Sequence, residues 1–160
     1  MTSWRQQATE GIAPGMTVRF SRTFTQEETN TFGDITRDYN PVHYDERFAK
    51  QKGFTDLIFH GLLVGGMVCE LGGQVGWLAT GMKFLFKRPV YFGDTVTCEI
   101  TVRTVDENGF AVADARFTNQ SGDEVLEAKI SGLVPAAQDR ALLATMISEG
   151  DPTNKIAGER

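Results

Sequence analysis

Asp38-Tyr39-Asn40-Pro41-Val42-His43 decides how this chain is read, together with His60-Gly61-Leu62-Leu63-Val64-Gly65-Gly66, which follows after a short charged segment. The two pieces hold both histidines of the protein. A continuous helix would put Asp38 and His43 on different faces, but Pro41 removes a backbone donor and biases Asn40 away from the helical region, which predicts a bent loop. In such a bend the two side chains can point into one space. A carboxylate and an imidazole in one partly dry pocket can divide the work of proton transfer. Gly61 opens a run uncharged up to Cys69. A helix starting there aims unpaired N–H groups at whatever lies before it, and glycine lets a ligand come close to the backbone. Base, acid and oxyanion donors together suit reactions at carbon next to a carbonyl or thioester.

The surrounding pattern places these pieces in a fold. Val18 to Phe24 alternates like a half-buried strand, and Thr25-Gln26-Glu27-Glu28 reads as a capping box that starts a helix to about Thr36. That helix delivers Asp38 to a defined place; Asp34 is a competing base, less favoured because Asn-Pro-x-His follows Asp38. Tyr44 to Lys52 fits a short surface helix ending at Gly53. Gly61 to about Val75 is apolar nearly all round, which predicts a buried helix, rich enough in glycine that packing must offset its low helix propensity. Strands are expected over Met82 to Val90, Val96 to Val105, Phe110 to Thr118 and Val125 to Val134. Turns at Asp106–Gly109 and Asn119–Gly122 separate the last three. Strands after a buried helix indicate α+β, an antiparallel sheet with helices on one side.

The run Phe32 to His43, with Phe48-Ala49 and then Phe59-His60-Gly61-Leu62-Leu63, resembles the MaoC-like (R)-specific enoyl-CoA hydratase family, also called hydratase 2. The resemblance runs from the first strand to Pro135. It implies a single hot-dog fold, an antiparallel sheet wrapped around a central buried helix, over residues 1–136. Residues 137–160 fall outside the resemblance and are expected to carry a short helix and then a flexible end. The activity implied is a hydro-lyase of fatty-acid type chemistry, adding water to a trans-2-enoyl thioester of coenzyme A or acyl carrier protein, or removing it from the 3-hydroxyacyl form. Asp38 would activate the water and His43 would deliver or remove the α-proton. Asn40 would brace the loop or help hold the water, and the N–H of Gly61, with that of Leu62, would bind the thioester oxygen. His60 is expected to orient the loop or bind backbone rather than transfer protons, and Gly66 to border the acyl group. Two departures from the family pattern stand out. Arg37 precedes Asp38 where some members have a small or acidic residue, and if it pointed inward it would weaken Asp38 as a base. Gly65-Gly66 stands where some members carry a serine, which bears on substrate size. The alternatives are an acyl-thioester hydrolase of the same fold and a non-catalytic acyl-thioester binding module with its base disabled by Arg37.

Composition narrows the classes further. The 160 residues, 41% hydrophobic and 10% aromatic, suffice for one domain with a real core. A net charge of −5 argues against nucleic acid or an anionic membrane as the main partner. Lys83, Lys87 and Arg88 form a local basic spot that could meet the phosphates of a nucleotide-bearing thioester, although such residues are more often simply solvated. Cys69 and Cys98 lack metal-ligand spacing and read as buried free thiols. No metal and no cofactor is implied. The amino terminus has no signal-like apolar core, and the longest uncharged run is too short to span a bilayer, so a cytoplasmic protein is expected. A single hot dog leaves one face under-covered, and the resemblance likewise implies a homodimer.

Overall fold

The computed structural model describes residues 3–155. Five antiparallel strands, β1 (Thr17–Thr23), β2 (Leu78–Phe86), β3 (Thr95–Val105), β4 (Phe110–Thr118) and β5 (Glu124–Leu133), form one sheet in the order β1-β3-β4-β5-β2. The sheet curls around two short helices in line, α4 (Gly61–Gly65) and α5 (Val68–Val75). Alternation along the strands sorts side chains between the two faces. Val96, Cys98, Ile100 and Val102 of β3 and Ala111, Ala113, Ala115 and Phe117 of β4 turn inward, against Val64, Met67, Val68, Leu71 and Val75. Three alanines on the middle strand leave the helix room to lie close, so the α+β hot dog follows from side-chain volume as well as from connectivity.

The expected single helix from Gly61 to Val75 is divided. Across Val64 to Glu70 the backbone tightens, with Met67 N–H donating to Val64 O (3.1 Å), Cys69 N–H to Gly66 O (2.9 Å) and Glu70 N–H to Met67 O (3.0 Å). Such i to i+3 bonds are what an α-helix adopts under local strain, and the Gly65-Gly66 pair, weak in helix propensity, is where it yields. The strand expected from Met82 to Val90 instead begins at Leu78 and ends at Phe86, before Pro89. Cys98 is buried, whereas Cys69 is exposed rather than buried.

Helix α2 (Gln26–Thr36) starts with the capping box read from the sequence: Thr25 Oγ1 accepts from Glu28 N–H (3.2 Å) and Glu28 Oε2 accepts from Thr25 N–H (2.8 Å). Helix α1 (Trp4–Glu10) was not foreseen; α6 (Ala137–Ser148) packs on it. Arg5, buried at the foot of α1, donates from Nε to Gln74 O (3.0 Å) and from Nη2 to Gly73 O (3.1 Å), the last carbonyls of α5. Its Nη1 pairs with the Asp151 carboxylate and donates to Thr153 Oγ1 (2.7 Å). Both ends of the described chain are thereby tied to one end of the central helix. Among the described residues no helix is long and apolar enough to cross a membrane.

Candidate active site

The site forms at the other end of the central helix. Helix α2 stops at Arg37, whose φ of 60° makes it the one non-glycine residue in the left-handed region among the described residues. This conformation disfavours a Cβ and reverses the chain, a form of strain that persists where neighbouring structure holds it. Arg37 is exposed, and it forms no ion pair with Asp38 among the described residues. The expectation that it could disable the base therefore lacks the contact it needs. After the reversal Asp38 Oδ1 accepts from Asn40 N–H (3.2 Å), and Asn40 Oδ1 accepts from Val42 N–H (3.3 Å). Two successive side-chain turns thus lead into one turn of 3-10 helix, Pro41–His43. Asn40 braces this loop and does not line the cavity beside it.

His43 is buried, and its Nδ1–H donates to Ile58 O at 2.7 Å, which leaves Nε2 as the free nitrogen. That nitrogen lies 4.0 Å from Asp38 Oδ2. The Asp38 side chain is 49% exposed, so the carboxylate keeps contact with solvent while the imidazole does not. Burial is the largest influence on His43 and lowers its pKa from 6.5; the charge of a protonated His60 would act the same way, while the Ile58 carbonyl and Asp38 oppose it. At neutral pH the ring therefore presents a bare Nε2 lone pair. Asp34 is removed from this chemistry, because its carboxylate accepts from Tyr39 Oη (3.0 Å).

His60 sits beside this pair, ring stacked on His43 at 3.8 Å with Nε2 2.9 Å from Asp38 O. Its own carbonyl accepts from Leu63 and Val64 N–H, which starts α4 and puts Gly61 and Leu62 in the first turn, where N–H groups have no intrahelical acceptor. A Cβ on Gly61 would stand 2.6 Å from the Phe86 ring, so glycine is what lets that ring lie close over the helix start. Asp38, His43, His60, Gly61 and Leu62 all line one cavity of about 440 Å³, whose walls are Phe54, Phe59, Val90 and neighbouring apolar side chains. Gly66 is not among its lining residues, and a Cβ there would face Leu62 O and Leu63 O instead. Lys87 and Arg88 also line the cavity. Lys87 is paired with Glu124 and Glu127, and Arg88 Nη1 donates to Glu124 O (2.8 Å).

One ligand atom each from Asp38, His43 and His60 lies within 4.8 Å of the others. Zinc at about 2.0–2.1 Å from each nitrogen would want ligands closer together than the 4.0 Å between Asp38 and His43. The wider spacing suits a water, which sits about 2.8 Å from each partner.

Sequence reasoning missed Gly33 and Tyr44. A Cβ on Gly33 would lie 1.9 Å from Tyr44 Oη, which is the space that lets this hydroxyl reach Asp38 O at 3.5 Å. Burial, with the charges of Asp34 and Asp38, raises the Tyr44 pKa and keeps it a donor. A glycine five residues before Asp38 was the available signal, but it gains meaning only once Tyr44 folds back onto it.

Comparison with known proteins agrees with this fold. Residues 8–124 match the family model described as "MaoC like domain". The (R)-specific enoyl-CoA hydratase of Aeromonas caviae is 32% identical over 118 residues, covering 71% of this chain and 88% of that protein. A 3-hydroxyacyl-[acyl-carrier-protein] dehydratase of Solanum lycopersicum is 26% identical over 127 residues, covering 76% of this chain and 77% of that one. The solved structure of the Aeromonas caviae (R)-hydratase involved in PHA biosynthesis superposes with a TM-score of 0.74 at 30% identity, covering 79% of this chain and 99% of that one. The fold and site define a hot-dog protein of the hydratase type. The chain belongs to the MaoC-like family.

Replacing Gly33 by alanine should leave the protein folded, since Tyr44 can swing outward, but free the Asp38 carbonyl from that hydroxyl. A shift of this kind at a base costs roughly tenfold in turnover. Circular dichroism unchanged beside a reduced kcat for the reaction assigned below is the expected result.

Proposed function

We propose that this protein is an (R)-specific enoyl-thioester hydratase, and in reverse a 3-hydroxyacyl-thioester dehydratase. The reading is carried by two facing acceptors, Asp38 Oδ2 and His43 Nε2, 4.0 Å apart in the cavity that Gly61 and Leu62 also line. One water can donate to both acceptors, its remaining lone pair turned toward the β-carbon of a bound enoyl group. As the water oxygen bonds to that carbon, one O–H breaks and the pair takes up the proton; the electrons move through the double bond to the thioester oxygen, held by the N–H groups of Gly61 and Leu62. The α-carbon then takes one proton from the pair. The proton that Asp38 takes from water passes along the new hydroxyl to His43 Nε2, and the imidazolium so formed gives it to the α-carbon, so that both groups end as they began. The Aeromonas relative's name supports coenzyme A as carrier, the tomato relative's acyl carrier protein. Arg88, which makes no ion pair among the described residues, is better placed than the paired Lys87 to meet a carrier's phosphate.

Crotonyl-CoA mixed with the protein should lose the ultraviolet absorbance of its conjugated thioester without release of free thiol. Asp38→Asn should slow this by roughly a thousandfold, as loss of a general base does. Thiol release at the same rate as absorbance loss would instead indicate hydrolysis.

The mechanism needs His43 neutral, which fixes the sign of the pH dependence. A depressed pKa means the ring gains its proton only below the ordinary value of 6.5. The acid limb of kcat/KM should therefore fall off at a pH below 6.5, and a limb above that value would remove His43 from this role.

The edge strand β2 pairs only with β5, and it exposes Leu78, Met82, Leu85 and Phe86. An unpaired, largely apolar edge of this length invites another strand, and we propose that a second copy of the chain covers it. Sedimentation equilibrium should give a mass near twice that of the chain. Leu85→Lys, which places a charge on that edge, should shift the protein toward monomer.

A further inference from the structure

We infer that His60 is the positioning residue of this site: with its hydrogen on Nε2 it holds Asp38 through the backbone carbonyl and His43 through ring stacking, so that one side chain sets the geometry of both proton-transfer groups. This rests on the hydratase reading above.

A carbonyl oxygen can only accept, so the 2.9 Å contact between His60 Nε2 and Asp38 O places the hydrogen on Nε2. Nδ1 then carries a lone pair. That atom is buried and has no hydrogen-bond partner among the described residues, and the residue as a whole is 1% exposed. An unpartnered buried acceptor is costly, and an apolar ring of the same shape would avoid the cost. The imidazole is therefore explained by what its other nitrogen does, which is to fix the Asp38 carbonyl.

The ring is boxed by His43 at 3.8 Å, Phe32 at 5.2 Å and Tyr44 at 5.9 Å. It cannot turn over, which would put Cε1 in place of Nε2, without displacing these neighbours. The stack on His43 faces a ring already held at Nδ1 by Ile58 O, so the plane of His43 is set from two directions. Through its own carbonyl His60 also starts α4. The base loop, the imidazole and the proposed oxyanion donors thus share one residue. It need not touch substrate to matter, because small errors in the separation of proton-transfer groups are expensive.

The test compares wild type with His60→Phe and His60→Gln in crotonyl-CoA hydration, and records the nitrogen shifts of His60 in the wild-type protein at pH 8. Phenylalanine keeps the ring and loses the donor. Glutamine carries an N–H the same number of bonds from the Cα and keeps the donor. Expected for phenylalanine is a fall in kcat of about thirtyfold with KM within about twofold, and for glutamine a recovery to within about fivefold of wild type. Wild-type turnover in either variant overturns the inference, in phenylalanine because the donor is then idle and in glutamine because the stack on His43 is. So does a His60 spectrum with the hydrogen on Nδ1, a result that stands even if neither variant folds. A wild-type protein inactive on crotonyl-CoA and on longer enoyl thioesters would instead count against the hydratase reading, which separates the two failures.

Discussion

The oxygen of one peptide bond, the carbonyl of Asp38, is the point on which the site depends. It accepts from His60 Nε2 and Tyr44 Oη, and it follows directly on the left-handed reversal at Arg37. A carboxylate on a loop has many rotamers and a mobile backbone. Here the backbone is fixed by donors from two other segments, while Oδ1 is engaged by Asn40 N–H and Oδ2 is left toward His43. Pre-organisation of this kind supplies rate by sparing the reaction the cost of assembling its groups.

The unequal burial of the pair follows from the same arrangement. Asp38 lies on the solvent side of the cavity and His43 against the core, so water stabilises the carboxylate's charge while desolvation disfavours a charged imidazole. Both groups are acceptors at neutral pH for opposite reasons, one because it is charged and wet, the other because it is neutral and dry. The fold creates that difference by laying the loop across the mouth of the helix-filled sheet, with the Ile58 carbonyl on one side of the imidazole and the His60 ring on the other.

Much of this was legible in the residues. Pro41 after Asn40 foretold the bend, the Thr25 and Glu28 pairing foretold where α2 begins, and alternation from Val96 to Val102 foretold the inner face of β3. These signals are local, and local sequence can carry them. The break between α4 and α5 was hidden because Gly65-Gly66 lowers propensity without saying whether packing will compensate. Tyr44 folding back over Gly33 joins segments that carry no mark of each other, whereas a loop-orienting His60 was expected from the residues and only its partner, the Asp38 carbonyl, was not. Arg37 invited a local reading, but the chain reverses there and its exposed side chain forms no ion pair with Asp38 among the described residues.

The buried Arg5 bears on where this protein can be cut. Its guanidinium closes the carbonyl end of α5 and is itself neutralised by Asp151. The stretch that matches the family, residues 8–124, contains neither of these two residues and omits most of β5. Trimming the chain to that stretch would remove a strand paired on both sides; trimming only behind α6 would strand a cation in a place water scarcely reaches. The limits of kinship and the limits of the cooperative folding unit are thus different boundaries, and a fragment drawn along the first would cross the second.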